Sequence, residues 1–184
     1  MTKFIQGITP GLGPVGSFSY DPMCSHDDLS SSLFSDHRGA TDYFLAQVPD
    51  NISRDKICIA RFVAVPSRLQ RQGWGRKLFR GLYNSLIHEG ATLALLEVDP
   101  FIEWPESDEL YAREINWRTA FYEAEGWTPL KSQTSGEEVL RIFMYSNPIA
   151  SSFRDTGGLV FSEIDELTHR RHQAESDNEY PTDF

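Results

Sequence analysis

The sequence predicts an α/β (α+β) fold, in which strands and helices alternate along a chain of 184 residues. Two apolar runs, at residues 57–65 and 92–98, have the composition and length of buried strands. Between them, apolar residues recur at helical spacing over residues 78–87. Gly73 and Gly75 lie where the first strand gives way to this helix. These observations define a strand, a glycine turn and an amphipathic helix in sequence.

The N-terminal part of the chain shows weaker patterns. Residues 1–40 are rich in glycine, proline and serine, so we expect no long regular elements there. Residues 3–8 are expected to form a short strand, and residues 26–34 a short helix that begins after the capping residue Ser25.

The segment that precedes the first apolar run also has the composition of a strand. Residues 42–48 are predicted to be extended, and the turn residues at 49–51 follow them. The predicted arrangement is therefore an antiparallel hairpin, formed by this strand and the one that starts at residue 57.

The turn at residues 70–76 has features of a phosphate-binding loop. Glycines let a backbone approach a ligand closely and reach positive φ. The first amides of a helix have no internal acceptor, and the helix dipole favours an anion there. The turn is neither a Walker loop nor the dinucleotide fingerprint, because Leu78 stands where a third glycine would be. Two glycines alone are more often an ordinary strand-to-helix connection, and that reading stays open here.

The second half of the chain continues the alternation. Gly90 is suited to the left-handed position that ends the first helix. Strand 92–98 is apolar on both faces, which predicts a central position in the sheet. A helix is predicted at 115–125, and a final strand at 139–145 is predicted to pair with 128–132.

Three segments resemble motifs of the GNAT superfamily of N-acetyltransferases. Residues 65–76 resemble its acetyl-CoA signature, Gln/Arg-x-x-Gly-x-Gly/Ala after a strand that ends in Val. Residues 92–98 resemble the next strand of that family, and residues 120–127 resemble its Leu/Phe-Tyr-x-x-x-Gly-Phe helix end. The resemblance covers roughly residues 57 to 146. It implies a mixed, mostly antiparallel central sheet flanked by helices, and acetyl-CoA as the acyl donor.

The resemblance also implies which residues bind the donor. The backbone beside Val63 and Val65 would follow the pantetheine arm, while the amides of the loop would hold the pyrophosphate and Gln70 would close it. Family members often carry an Asn seven residues before the motif tyrosine; Ile115 holds that position here, and Asn116 comes one residue later. The full implied set is Val63, Ala64, Val65, Gln70, Arg71, Gln72, Gly73, Trp74, Gly75, Arg76 and Asn116.

Two residues are implied to be catalytic. Tyr122 matches the family's general acid, which protonates the departing thiolate of CoA, and Glu97 matches the general base of some peptide N-terminal acetyltransferases. The sequence shows no nucleophile for an acyl-enzyme, so the amine is expected to attack the thioester directly. Structural roles remain alternatives: Glu97 could pair with an arginine at the sheet end, and Tyr122 could be a core aromatic residue.

Composition limits the class of protein. The formal net charge of −10 argues against general nucleic-acid binding and favours a cationic amine as acceptor. No apolar run has the roughly 20 residues that span a bilayer, and a secretory signal is not evident, so a cytoplasmic protein is expected without membrane attachment. Cys24 and Cys58 are expected to be reduced, and no metal site is predicted from the histidines; His169 and His172 lie in a polar tail.

The expected organisation is an acetyltransferase domain at residues 1–150 with a reduced N-terminal region, followed by an acidic extension at 151–184 whose end is disordered. The connection at 100–113 is expected to influence acceptor choice. The predicted function is acetyl transfer to a primary amine of a small molecule or peptide. The alternatives are an inactive binding module for a basic protein, and transfer of another acyl group. Homodimers are common among the proteins that the chain resembles.

Overall fold

The computed structural model describes residues 1–34, 40–98, 108–131 and 142–177. These residues contain seven strands, which we number in chain order: β1 Lys3–Thr9, β2 Gly13–Cys24, β3 Ile57–Ala64, β4 Leu93–Val98, β5 Thr128–Pro129, β6 Ile142–Ser146 and β7 Val160–Glu163. The helices are α1 His26–Asp28, α2 Ala40–Leu45, α3 Trp74–His88, α4 Asp108–Ala124 and α5 Glu166–Asp177. A π-helical turn at Leu29–Leu33 and 3-10 turns at Ser67–Leu69 and Pro148–Ala150 complete the set.

The strands form one sheet in the order β5-β6-β4-β3-β2-β1-β7. β3 and β4 are parallel, whereas β1 runs antiparallel to β2 and β7, and β6 runs antiparallel to β4 and β5. The prediction of a mixed, mostly antiparallel sheet flanked by helices is confirmed. β4 also has a neighbour on each side, as its two apolar faces predicted.

The chain divides into two compact units, and the first comprises Met1–Met23, Ala60–Ala91 and Pro148–Phe184. Close backbone approaches in this unit depend on glycine. A Cβ on Gly16, which has a φ of +148°, would lie 2.3 Å from the carbonyl oxygen of Ala64. A Cβ on Gly81 of α3 would lie 2.3 Å from the ring of Phe161 on β7. A larger side chain would clash with the backbone of Ala64 at position 16 and with the ring of Phe161 at position 81.

The second unit comprises Cys24–Ile59 and Thr92–Asn147 and has an aromatic core. The ring centroids of Phe34, Phe44 and Phe143 lie 4.8–5.0 Å apart. Leu93 and Leu95 of β4 are fully buried in the same cluster. Aromatic pairs at such distances contribute about 0.5–1.5 kcal/mol each beyond the area that they bury.

The predicted strand at residues 42–48 is wrong, and so is the hairpin built on it, because residues 42–45 belong to α2 and residues 46–48 form a turn after it. Thr41, Phe44 and Val48 are the buried positions, at spacings of three and four residues. That spacing is helical, and Arg54 stabilises the end of the segment by donating to the carbonyl oxygens of Leu45 and Val48, both at 3.0 Å. The aromatic and branched composition of residues 42–48 favours a strand, but the spacing of the buried residues is that of a helix.

The expectation of no long regular element before residue 40 is also wrong, because β2 has 12 residues. β1 was expected, and β2 pairs with it from Lys3↔Tyr20 to Thr9↔Gly13, with a register shift after Gly7. The turn residues of this segment form the short connection at 10–12 between the two strands. The predicted cap Ser25 is confirmed: its hydroxyl accepts from the amide of Asp28 at 3.2 Å.

The C-terminal elements lie close to their predicted positions. β6 pairs with β5, as expected. Residues 160–163 form β7 on the edge of β1, and α5 continues to Asp177, so the helix includes part of the tail that was expected to be disordered. The rest of that tail lies outside the described residues, as does the connection at 100–113 up to the start of α4. None of the helices within the described ranges has the length and apolarity that a bilayer crossing requires.

Candidate functional site

The loop between β3 and α3 is ordered by its own hydrogen bonds. The amide of Leu69 donates to the carbonyl of Pro66 at 2.8 Å, and the amide of Gln70 donates to that of Ser67 at 3.1 Å. The side chain of Gln70 then donates to the carbonyl of Val65 at 3.2 Å. Gln70, which was expected to close the loop, thus hydrogen-bonds to the residue that follows β3.

Gly73 sets the direction in which α3 begins. It is the N-cap of this 15-residue helix, in the left-handed region with φ +78°, and no side chain caps the helix from that position. The first intrahelical bond is donated by the amide of Lys77 to the carbonyl of Gly73 at 3.3 Å. The amides of Trp74, Gly75 and Arg76 thus precede the first amide that donates within the helix, and they have no intrahelical acceptor. This is the end of the helix at which a phosphate is stabilised.

The space around the two glycines is open. A Cβ on Gly73 would meet no atom within 4 Å, and one on Gly75 would reach only the Cγ2 of Val65, at 3.9 Å. Gly73 is also exposed. The protein's own packing therefore does not demand a glycine at either position, apart from the positive φ of Gly73.

The charges at the start of α3 are basic. Arg71, with a φ of +62°, and Arg76 are exposed, and the first turn of the helix contains no acidic residue. The ammonium nitrogen of Lys77 lies 4.3 Å from the ring centroid of Trp74. Lys77 is not among the residues predicted from the sequence, although a lysine in the first turn of a helix after a glycine loop is a recognisable signal for an anion site.

Trp74 is half-buried at the first position of α3. Its Nε1 donates to Oε1 of Gln72 at 3.3 Å, and Nε2 of Gln72 donates to the carbonyl of Arg68 at 3.4 Å. The large side chain inside the loop is thus held by neighbouring loop residues. In the segment before the loop, Val63 and Val65 are half-buried and Ala64 is buried.

The structure brings ten of the eleven predicted donor-binding residues into the first unit, while Asn116 lies in the second. Asn116 is exposed on α4, and Ile115, at the position where the family motif has its Asn, is 6% exposed. The hydroxyl of Thr119 donates to the carbonyl of Ile115 at 2.8 Å. The apolar residue at this position faces the interior, which is an ordinary packing role.

Glu97 lies at the end of an apolar row on β4, in the second unit. It pairs in register with Phe143 of β6, which is 1% exposed, and it follows the fully buried Leu93 and Leu95 on the same face. Its own side chain is half-buried. The carboxylate of Glu97 therefore lies in a largely apolar environment that solvent still reaches.

Tyr122 lies in the last turn of α4, also in the second unit. Its ring is half-buried and meets the ring of Phe121 edge-on, with centroids 5.4 Å apart. Its carbonyl accepts from the amides of Glu125 and Trp127, both at 3.0 Å, and Gly126 has a φ of +82°. The tyrosine motif is therefore the C-terminal end of a helix, as expected, and its side chain is more accessible than a core aromatic residue.

Solved structures similar to this chain include three acetyltransferases. Tetrahymena Gcn5 is 9% identical, over 83% of this chain and 72% of its own, with a TM-score of 0.43. A GNAT-family acetyltransferase from Staphylococcus aureus Mu50 is 11% identical over 80% and 68%, with a TM-score of 0.41. Chaetomium thermophilum Naa20, in complex with a bisubstrate analogue, is 13% identical over 83% and 71%, with a TM-score of 0.40.

No protein-family model matches the sequence, and no curated protein matches it either. We therefore infer the function from the geometry of the chain's own residues.

Proposed function

We propose that this protein transfers an acetyl group from acetyl-CoA to a primary amine. The observation that carries the proposal is the start of α3: a helix N-terminus that follows a glycine in the left-handed conformation, lacks a side-chain cap and is surrounded by basic side chains. The motif resemblance supplies the identity of the anion, namely the pyrophosphate of CoA. The proposed donor site consists of Val63, Ala64, Val65 and residues 70–76.

The chemistry needs a neutral amine, donors for the oxyanion and a protonated leaving thiolate. We assign the first task to Glu97, which would take a proton from the acceptor ammonium directly or through a water molecule. We assign the last to Tyr122, whose phenol would protonate the sulfur of CoA. The amine attacks the thioester carbonyl, the tetrahedral intermediate collapses, and the carbon–sulfur bond breaks without an acyl-enzyme.

The acceptor that fits best is a cationic amine, carried by a small molecule or a peptide. The net charge of −10 supports this choice, because an acidic protein attracts cationic substrates over long range. A screen of amines, aminoglycosides and basic peptides, followed by the release of free CoA thiol, would identify the acceptor. The cytoplasmic location, the homodimer and the division at residue 150 remain predictions.

Calorimetric titration with acetyl-CoA tests the donor site. Gly73→Asp places a carboxylate where the phosphate would lie, and no protein atom lies within 4 Å to clash with its Cβ. We expect the substitution to abolish binding. Gly11→Asp is the matched control, because Gly11 also has positive φ, +92°, and open space, and the charge change is identical. Unchanged affinity in Gly73→Asp would show that the phosphate binds elsewhere.

Tyr122→Phe tests the acid. Loss of a general acid reduces turnover by about 10²–10⁴-fold while the affinity for acetyl-CoA stays nearly the same. Pre-steady-state measurement of CoA thiol release, together with the titration above, separates the two effects. Turnover equal to that of the unsubstituted protein would remove Tyr122 from the mechanism.

The second candidate function is a binding module that has kept the fold without the chemistry. It is favoured by Ile115, which is buried at the position where the family motif has an Asn. On this proposal the acidic surface engages a basic protein. Absence of heat from acetyl-CoA at high micromolar concentration would reject the enzyme in favour of the module.

A further inference from the structure

α5 is held on the first unit by histidines and not by an apolar stripe. Leu167 is 61% exposed, whereas His169 is 2% exposed. The imidazole of His169 lies 5.1 Å from the ring of Phe4 on β1, between centroids. Helices usually dock through an apolar face, and burial of imidazoles instead makes docking sensitive to their charge.

Ser17 of β2 connects two histidines of α5. Its hydroxyl oxygen lies 2.8 Å from Nδ1 of His169 and 2.9 Å from Nδ1 of His172, and the serine is fully buried. Nε2 of His172 lies 3.4 Å from Nε2 of Gln6 on β1. The strands contribute these two neutral side chains, and together the four residues Gln6, Ser17, His169 and His172 form what we call the histidine clasp.

The hydrogen bonds of the histidine clasp favour neutral imidazole rings. In the assignment that the hydrogen bonds favour, Gln6 donates to Nε2 of His172, Nδ1–H of His172 donates to Ser17, and the serine proton goes to Nδ1 of His169. Both imidazoles are then neutral. A proton on each ring would direct two N–H groups at the Ser17 oxygen and leave its own hydroxyl proton without an acceptor in the clasp.

Burial also opposes protonation of both rings. It lowers the pKa of His169 from 6.5 to about 4; a positive charge on His172 adds to this shift, and Glu166 opposes it. Burial lowers the pKa of His172 as well, with Glu175 opposing and Arg68 adding to the effect. Nε2 of His169 is buried and makes no hydrogen bond within the described part of the chain.

We propose that the histidine clasp is an acid-sensitive lock, which holds α5 on β1 and β2 at neutral pH and releases the helix when both imidazoles are protonated. The proposal does not depend on the donor site. α5 also contacts the 3-10 turn Ser67–Leu69, which leads into the glycine loop, so its release would alter the surroundings of that turn.

The direction of the pH effect follows from linkage. Because the pKa of each histidine is lower in the docked helix than in the released one, docking is most stable above about pH 6.5 and weakens as the pH falls toward 4. For His169 alone, values of 6.5 and about 4 raise the fraction of released helix by about 20-fold between pH 7 and pH 5. His172 acts in the same direction.

Amide hydrogen exchange on the full chain tests the lock. The protection factors of α5, corrected for intrinsic exchange, should fall about 20-fold or more from pH 7 to pH 5 while those of α3 stay constant. Constant protection of α5, or a joint loss in α3 and α5, would overturn the proposal.

Substitution of the histidines provides the second test. In the double variant His169→Phe, His172→Leu the protection of α5 should no longer change between these pH values. The control His88→Gln, at an exposed histidine that ends α3, should keep the full change. If the double variant does not fold, NMR titration of the unsubstituted protein decides: a midpoint for His169 below about pH 6 supports the lock, and a midpoint at or above it overturns the lock.

Discussion

α3 and α5 lie in the same unit but are stabilised in opposite ways. α3 buries an apolar face of Leu78, Phe79, Leu82, Tyr83 and Leu86, and no side chain caps its N-terminus. α5 buries only His169 among its fully described side chains, and its N-terminus is capped by Asp165, which accepts from the amide of Thr168 at 2.7 Å. The helix with the larger apolar face is thus the one whose N-terminus no side chain caps. An uncapped helix N-terminus can bind an anion, and it is here that we propose the donor site.

Truncation of a buried leucine on α3 should have the largest effect on the free energy of unfolding. Leu82 is 1% exposed, so Leu82→Ala should lower the free energy of unfolding by about 2–5 kcal/mol through lost burial and a cavity. Leu167→Ala on α5, at an exposed leucine, is the control and should change it by less than about 0.5 kcal/mol. Urea unfolding measures both; equal effects would mean that the two helices dock alike.

Removal of the α5 cap should have an intermediate and local effect. Asp165→Ala deletes the side chain that accepts from the amide of Thr168, so the first turn of α5 loses its N-cap. The backbone and side-chain hydrogen bonds with Thr168 lower the pKa of Asp165, so the cap is charged at neutral pH. We expect faster amide exchange in α5 with no change in α3. Exchange that accelerates equally in both helices would contradict a local role.

Neutralisation of Lys77 should have the smallest effect. Lys77→Gln removes one cation from the first turn of α3. An exposed ion pair contributes about 0.2–1 kcal/mol, so the affinity for acetyl-CoA should fall by up to about fivefold. The effect should shrink at high salt. Arg170→Gln, on the exposed side of α5 in an ion pair with Glu166, is a control that should leave the affinity unchanged. A salt-independent loss would indicate a packing role for Lys77, whose side chain also lies close to Gly157.

Short-range patterns account for most of what the sequence predicted correctly. β3, α3 and β4 follow from the spacing of apolar residues over a few turns, and the left-handed conformations of Gly73 and Gly90 follow from the lack of a side chain. The hydrogen bond from Gln70 to Val65 joins residues five apart, so a local motif is enough to predict it. The same holds for the cap at Ser25.

The predictions from the sequence were wrong where contacts with residues distant in the chain decide the conformation. Residues 42–48 have strand-like composition, but Phe44 packs on Phe34 and Phe143, and this contact requires a helical spacing of buried residues. The length of β2 depends on its pairing with β1 and on the close passage of Gly16 by Ala64. Neither can be read from a window of neighbouring residues.

The sequence alone thus determined the strand, the glycine loop, the helix that follows it and the motif resemblance that suggests CoA, because each of these depends on residues close together in the chain. The tertiary structure decided which side chains meet. Ser17 and His169 are 152 positions apart and meet at 2.8 Å, and the two histidines looked like part of a solvated tail until β1 and β2 were placed beside α5. The physical reason is that burial and hydrogen-bond partners are set by contacts between distant segments, which local sequence patterns do not specify.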